Sequence, residues 1–308
     1  MKSLRIVFMG TPDFAVASLE ALTKSNHKVV GVVTVADKPA GRGRQLQESP
    51  VKQFAVSQNI PVLQPLKLKD ENFHSELKAL NADLFVVVAF RMLPEVVWAM
   101  PPLGTINLHG SLLPKYRGAA PINWAVINGE KETGVTTFFL QHEIDTGRVI
   151  ERKTIAIGEN ETAGELHDKM MMVGAEVLVS TVNKIAEGNT EGIDQLTLIA
   201  GGEEIKHAPK IFKEDCQINW ENEGELIHNF IRGLAPYPAA WTSLGDKTAK
   251  IFKGEFKSGL ASDPGTYITD HKAVLRFACK DGWYEVHELQ YEGKKRMSVE
   301  DFLRGWRD

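Results

Sequence analysis

The clearest indication of the fold is the apolar run Leu84-Phe85-Val86-Val87-Val88-Ala89-Phe90. A run of strand length without polar alternation is typical of a strand buried on both faces, as in parallel sheets covered by helices. Apolar runs at 4–9 and 29–35 precede it, and helical patterns follow each of them. We therefore predict an α/β domain with a doubly wound parallel sheet, whose ligands bind beyond the carboxyl ends of the strands.

The bulk composition excludes several classes of protein. Apolar residues make up 43% and charged residues 25% of the 308 residues, which is ordinary for a globular chain. No apolar run is long enough to span a bilayer, and the N-terminus lacks the apolar core of a signal peptide. Cys216 and Cys279 are the only cysteines, too few for a disulfide framework or a metal quartet. We expect a cytoplasmic protein without a metal or a membrane partner.

Three parts are predicted along the chain. Residues 1–189 carry the α/β pattern and end in a long helix. Residues 190–205 are predicted as a linker because the surrounding stretch is rich in Gly, Thr and Asn. Residues 206–308 contain one helical stretch and then short β-like runs separated by Gly and Asp, which indicates a small antiparallel barrel.

The charge distribution leaves two interpretations open. The net charge of −4 does not suggest a nucleic-acid-binding protein, yet residues 206–308 hold 16 basic and 16 acidic side chains and are neutral. Within this part the basic residues cluster, at Lys247, Lys250, Lys253 and Lys257 and again at 294–296. They form either a site for a polyanion or an ordinary solvated strand face.

The chemistry is indicated by Gly104-Thr105-Ile106-Asn107-Leu108-His109-Gly110-Ser111-Leu112-Leu113-Pro114. Asn107 and His109 are two positions apart on a predicted strand, so both side chains leave the same face. A tight acidic turn with Asp145 follows another strand pattern. An amide donor, an imidazole and a carboxylate at strand ends suit acyl transfer, in which two groups stabilise an oxyanion and the third manages protons.

Other catalytic signatures are missing. The turn Gly10-Thr11-Pro12-Asp13 stands where a dinucleotide fingerprint would stand, but it lacks the second and third glycines, which disfavours NAD. A serine hydrolase would use Ser111, but the G-x-S-x-G pattern is absent. The basic loop at 37–44 offers Lys38, Arg42 and Arg44 to phosphates, or is a plain surface loop.

The segment Asn107 to Pro114, followed by Lys115 to Ile122, resembles the signature of the formyltransferases that use 10-formyltetrahydrofolate. Three further segments resemble the members of that family that act on methionyl-tRNA. They are Phe8-Met9-Gly10-Thr11-Pro12-Asp13-Phe14, Lys38-Pro39-Ala40-Gly41-Arg42-Gly43 and Pro236-Tyr237-Pro238-Ala239-Ala240-Trp241. The resemblance covers essentially the whole chain.

The resemblance implies a Rossmann-like formyltransferase domain followed by a smaller β-rich domain similar to an OB fold. It implies a monomeric transferase that moves the formyl group of 10-formyltetrahydrofolate to the α-amino group of methionyl initiator tRNA, for translation initiation. The implied catalytic residues are Asn107, His109 and Asp145. The implied tetrahydrofolate-binding residues are Ser111, Leu112, Leu113 and Pro114, with Phe90, Arg91, Met92 and Leu93 lining the pterin pocket. Arg42 matches the loop residue expected to reach the acceptor stem, and Lys38 and Arg44 are assigned to tRNA with it.

Three alternatives remain open from the sequence. The chain would be a different formyltransferase if its acceptor were a small amine, such as an amino sugar or a ribonucleotide. A hydrolase releasing formate would admit water beside Asp145 in place of an amine. A noncatalytic RNA-binding protein would retain the fold without using Asn107 and His109.

Overall fold

The computed structural model describes residues 2–40, 45–199 and 205–306. The chain divides into two compact units. The first comprises Met1–Gly118, Gly134–Ile155 and His167–His207, and the second comprises Ala119–Thr133, Ala156–Leu166 and Ala208–Asp308. Within the described ranges no helix has the combined length and apolarity that a membrane span requires.

The main sheet has seven strands in the order β10-β9-β7-β6-β1-β2-β5. Their bounds are β1 Arg5–Gly10, β2 Lys28–Val33, β5 Val62–Leu63, β6 Leu84–Val88, β7 Thr105–His109, β9 Glu132–Phe139 and β10 Val149–Ala156. Two short pairs stand apart from it, β3 Lys38–Ala40 with β4 Gln45–Gln47, and β8 Arg117–Gly118 with β11 His207–Ala208. The run of residues 84–88 is buried along its whole length, as predicted.

The sheet is mixed rather than wholly parallel. Strands β5, β2, β1, β6 and β7 pair in parallel, but β9 is antiparallel to β7. An apolar run shows that a strand is buried but does not show its direction, which depends on the connection that leads into it. The strand order reverses between β1 and β6, and ligands of doubly wound sheets bind beside the carboxyl ends at such a reversal.

Eight α-helices are present in the described residues. They are α1 Asp13–Thr23, α2 Pro50–Ser57, α3 Glu71–Ala79, α4 Glu95–Trp98, α5 Pro121–Ile127, α6 Ala163–Ala186, α7 Gly224–Leu234 and α8 Val299–Arg304. Helix α6 begins at the predicted capping box, in which Thr162 and Glu165 exchange hydrogen bonds of 2.8 and 3.2 Å with each other's backbone N–H. Helix α1 buries Phe14, Leu19 and Leu22 along one face, as the 3.6-residue period requires.

The second unit is built on an antiparallel six-stranded sheet. Its strands run in the order β12-β13-β16-β15-β14, and β17 pairs with β16. Their bounds are β12 Ala240–Leu244, β13 Lys247–Ser258, β14 Tyr267–Thr269, β15 Leu275–Cys279, β16 Gly282–Tyr291 and β17 Met297–Ser298. One apolar core joins this sheet to α7 and α8, and within it Trp220 stacks on Phe277 at 4.7 Å between ring centroids. A β-rich domain thus follows the α/β domain, as the sequence predicted.

The described part of the predicted linker has regular structure. A 3₁₀ helix spans Gln195–Leu198, and a second one spans Glu214–Cys216 further along the chain. Ile193 forms an antiparallel bridge with Val149, so this stretch is attached to the edge of β10.

Candidate active site

Asn107 and His109 lie near the carboxyl end of β7, inside the main sheet. Asn107 stands opposite Val87 of β6 and Phe138 of β9, and His109 stands opposite Thr136. The two side chains share one face of the strand, as predicted. Asn107 is half-buried and its amide forms no hydrogen bond within the described part of the chain, so it is available to a ligand.

The His109 imidazole is buried and held at one nitrogen. Its Nε2 lies 2.8 Å from the carbonyl oxygen of Tyr116. A carbonyl oxygen only accepts hydrogen bonds, so we infer that Nε2 carries a hydrogen and donates it. The other nitrogen, Nδ1, lies 3.9 Å from Oδ2 of Asp145, too far for a hydrogen bond but within ion-pair range. Nδ1 is therefore the nitrogen left for chemistry.

Asp145 approaches His109 from a turn whose backbone is unusual. Its φ angle is 55°, in the left-handed region that only Gly, Asn and Asp visit routinely. Its Oδ2 accepts a hydrogen bond of 2.9 Å from the backbone N–H of Gly118. Because Tyr116 holds His109 and Gly118 holds Asp145, one short segment of the chain determines how the two side chains face each other. The structure thus brings together the three residues assigned to catalysis.

The turn at Ser111 to Pro114 is held by buried hydrogen bonds. The Ser111 hydroxyl donates to the carbonyl of Lys115 at 2.6 Å. Thr136 Oγ1 donates to the carbonyl of Ser111 at 2.6 Å and accepts from the N–H of Leu113 at 3.1 Å. Ser111, Leu113 and Pro114 are buried and only Leu112 is half-buried. The turn therefore presents backbone and shape rather than free side-chain donors, and Thr136 is a supporting residue that the sequence analysis missed.

The segment Phe90 to Leu93 follows β6 at the strand-order reversal. Leu93 is buried and Phe90 half-buried, whereas Met92 is 73% exposed. The two terminal nitrogens of Arg91 donate to the carbonyl oxygens of Pro65 and Leu66, whereas its buried Nε has no hydrogen-bond partner among the described residues. Burial lowers the pKa of Arg91 from its ordinary value. Phe90 and Met92 are thus the side chains of this segment that offer apolar surface to a flat ring.

The basic loop is only partly described. Lys38 lies at the start of β3 and is exposed. The preceding Asp37 is anchored by Lys52 and by a 2.8 Å hydrogen bond from Gln64, and the bond from Lys52 lowers the pKa of Asp37. Arg42 and Arg44 lie outside the described residues.

The lysine cluster of the second unit separates into paired and unpaired members. Lys257 forms a 3.0 Å ion pair with Glu285. Lys247, Lys250 and Lys253 form no ion pair with any residue that the structure describes, and Nζ of Lys247 lies 5.8 Å from the centre of the Tyr291 ring.

Among residues 2–40, 45–199 and 205–306, no group of three or more His, Cys, Asp or Glu side chains is arranged to hold a metal ion.

The chain matches known families along most of its length. A family model described as formyl transferase matches residues 4–182, and one described as formyl transferase, C-terminal domain, matches residues 210–307. A Parabacteroides distasonis protein named methionyl-tRNA formyltransferase is 54% identical over 313 residues, covering 99% of this chain and 97% of that protein. A Bacteroides fragilis protein of the same name is 52% identical, covering 99% and 96%.

Solved structures share the fold at low sequence identity. HypX from Aquifex aeolicus in complex with tetrahydrofolic acid has a TM-score of 0.67 at 17% identity, covering 100% of this chain and 50% of that chain. An N-formyltransferase from Helicobacter canadensis, in complex with folinic acid and dTDP-3-aminofucose, has a TM-score of 0.67 at 21% identity. It covers 96% of this chain and 100% of that chain. At these identities the likeness concerns the fold alone.

Proposed function

The chain belongs to the methionyl-tRNA formyltransferase family, and from this we propose that it transfers a formyl group from 10-formyltetrahydrofolate to the α-amino group of methionyl initiator tRNA. The observation that supports this most directly is the arrangement of three side chains. Asn107 offers an unoccupied amide on the same strand face as His109, and Nδ1 of His109 lies 3.9 Å from Asp145. Such a set suits attack by an amine on a carbonyl carbon.

The acceptor amine needs little activation. Free α-amino groups have a pKa near 8, and esterification of the neighbouring carboxyl group lowers this pKa further. Much of the amine is therefore uncharged at neutral pH. The donor supplies a formyl carbon that is ready for attack. What the protein must supply is position and stabilisation of the oxygen that becomes negative as the amine adds.

Asn107 and Nδ1 of protonated His109 are assigned to that oxygen. The Asn107 amide donates without first breaking a bond to any described residue, and the fixed Nε2–H of His109 leaves Nδ1 as the second donor. Asp145, whose Oδ2 lies 3.9 Å from Nδ1 of His109, accepts the amine proton, directly or through water. That proton then passes to the folate nitrogen, which leaves as the bond between it and the formyl carbon breaks. Removing one such donor typically costs a factor of about 10²–10³ in rate.

The donor is assigned to the sheet edge where the strand order reverses. Phe90 and Met92 would contact its ring system, and the backbone of the turn from Ser111 to Pro114 would border it. A half-buried aromatic ring next to an exposed methionine suits a flat, polarisable ring. Arg91 would act by supporting this segment, since its guanidinium holds the carbonyls of Pro65 and Leu66.

The tRNA is assigned to two basic regions. Lys38, Arg42 and Arg44 would contact phosphates near the acceptor end, and lysines of residues 206–308 would contact the backbone further away. We assign formyl transfer to residues 1–189 and tRNA binding to residues 206–308. Residues 190–205 connect these two parts of the chain. We propose that the enzyme acts as a monomer in the cytoplasm, where charged tRNA is used.

The decisive assay is transfer of labelled formyl from 10-formyltetrahydrofolate to methionyl initiator tRNA. Elongator methionyl-tRNA and a reaction without tRNA run beside it, and Asp145→Asn serves as the catalytically impaired control. Label confined to the initiator tRNA, and lost in the control, is the expected result. Formate release without tRNA would indicate a hydrolase instead, and label on amino sugars or ribonucleotides alone would indicate a small-amine acceptor.

A further inference from the structure

Gln195 is a buried glutamine at the start of the 3₁₀ helix Gln195–Leu198, only 1% exposed. The stretch around it is fixed in place. The backbones of Ile193 and Val149 exchange hydrogen bonds of 2.7 and 2.8 Å, and the Asp194 side chain caps the helix by accepting from the N–H of Leu196 at 2.9 Å. Gln195 therefore projects from a rigid support rather than from a loose linker.

All four hydrogen-bonding positions of the Gln195 amide are occupied. Its Nε2 donates to the carbonyl oxygens of Asp145 and Gly147, at 2.9 and 2.8 Å. Its Oε1 accepts from Nε and Nη2 of Arg117, at 3.1 and 2.7 Å. The partners determine the orientation of the amide, because carbonyls only accept and a guanidinium only donates. Position 195 is therefore specific for glutamine, because another side chain would leave some of these buried groups without a partner.

These bonds form a closed circuit around Asp145. The Asp145 carbonyl is held by Gln195, Gln195 is held by Arg117, and the next residue, Gly118, donates its N–H to the Asp145 carboxylate. Asp145 has a φ of 55°, in the left-handed region that few non-glycine residues adopt. The turn is also tight at Gly147, where an added Cβ would lie 1.6 Å from the carbonyl oxygen of Phe139.

We propose that Gln195 is a positioning residue for formyl transfer, which holds the Asp145 turn so that the carboxylate faces Nδ1 of His109. This rests on the proposed function of the site. Gln195 does not touch the reacting atoms; it acts through Asp145. Without the hydrogen bonds of Gln195 the turn relaxes, and the Asp145 carboxylate no longer points towards His109.

The test compares Gln195→Met with Gln195→Glu. Methionine keeps the length of the side chain and removes all four bonds. Glutamate keeps the acceptor for Arg117, replaces the two donors by an oxygen that faces two carbonyls, and adds a negative charge. It provides a second variant without the two donors if the methionine variant does not fold. Asn183→Ala is the matched control, because it removes another amide bond of the same unit, to His27 at 2.9 Å.

We expect kcat to fall about 10- to 100-fold in both Gln195 variants, with the KM for folate changed less than about threefold. Asn183→Ala should leave kcat near that of the wild type. In an Asp145→Asn background, measured by single turnover at high enzyme concentration, Gln195→Met should cause no further loss, since the charge it positions is already gone. An unchanged kcat, or losses that multiply in the double variant, would overturn the proposal.

A second readout does not depend on the substrate. The N–H of Gly118 donates to Asp145, so its hydrogen exchange should accelerate in Gln195→Met but not in Asn183→Ala. A wild-type enzyme that fails to formylate methionyl-tRNA would refute the proposed function, and the exchange rate would still decide whether Gln195 holds the Asp145 turn. Exchange at Gly118 that is equally slow in both variants would refute the role of Gln195.

Discussion

Nε2 of His109 lies 2.8 Å from the carbonyl oxygen of Tyr116, and this contact decides which nitrogen of the imidazole is left for chemistry. The nitrogen fixed by the carbonyl is a permanent donor. Nδ1 lies 3.9 Å from Oδ2 of Asp145 and has no hydrogen-bond partner among the described residues. The orientation follows from a backbone carbonyl seven residues away, on the segment that also holds Asp145.

Two substitutions at His109 distinguish the nitrogens. The amide nitrogen of asparagine can occupy the position of Nδ1, whereas that of glutamine reaches the position of Nε2. If Nδ1 is the donor to the oxyanion, His109→Asn should retain a kcat roughly tenfold above that of His109→Gln, with both well below the wild type. Steady-state kinetics at saturating substrates measures this ratio, and the reverse order would assign the work to Nε2.

Asn107→Ala should reduce kcat by about 10²–10³ while raising KM far less, because the lost donor acts mainly on the developing oxyanion. Its stability should hardly change, since the amide bonds no other described residue. Urea unfolding checks this second half. A variant with normal kcat would exclude Asn107 from stabilising the oxyanion.

Asp145 separates charge from backbone conformation. Asp145→Asn keeps a residue that tolerates φ of 55°, so we expect normal thermal stability and folate binding with turnover nearly abolished. Asp145→Ala should lose turnover and also about 1–2 kcal/mol of stability, because alanine is strained there and cannot accept the hydrogen bond from the N–H of Gly118. Equal unfolding midpoints for the two variants would contradict the predicted difference in stability. High activity of Asp145→Asn would contradict the catalytic role of the carboxylate.

Arg42→Ala should weaken tRNA formylation while folate affinity stays normal. If the residue contacts a phosphate, the slope of log affinity against log salt should also become shallower by about one unit. Lys257→Ala is the matched control, since Lys257 is already paired with Glu285 and should contribute less. Near-normal tRNA kinetics in Arg42→Ala would return the loop to a plain surface role.

His228 in the second unit makes stability depend on pH. Burial lowers the pKa of His228 below its ordinary 6.5, and the charge of Arg232 adds to this. The unfolded chain then binds a proton at higher pH than the folded chain, so the free energy of unfolding falls as the pH drops below about 6.5. His228→Gln should therefore gain stability relative to the wild type between pH 7.5 and 5.5, measured by urea unfolding. His287→Gln changes an exposed imidazole and is the control, which should not gain stability relative to the wild type as the pH falls. If the free energy of unfolding fell equally in the wild type and in His228→Gln, the prediction would be contradicted.

Sequence patterns predicted local features and missed those that depend on distant partners. The period of two placed Asn107 and His109 on one face, and the apolar run at 84–88 predicted a fully buried strand. The bond from His109 to Tyr116 and the contacts of Gln195 with Asp145 could not be predicted, since they join separate stretches through backbone carbonyls that leave no mark in side-chain identity. Gln195 fell in a stretch of linker-like composition, where a single buried polar residue does not alter the average.

The left-handed backbone at Asp145 also limits how this site can change over evolutionary time. Few residues other than Gly and Asn fit that conformation as readily as aspartate. A lineage released from selection for catalysis would accept Asn at this position readily, because asparagine keeps both the backbone conformation and an acceptor for the N–H of Gly118. Among descendants of such a protein, an asparagine at position 145 in an otherwise intact site would indicate a pseudoenzyme that has kept the turn and lost the carboxylate.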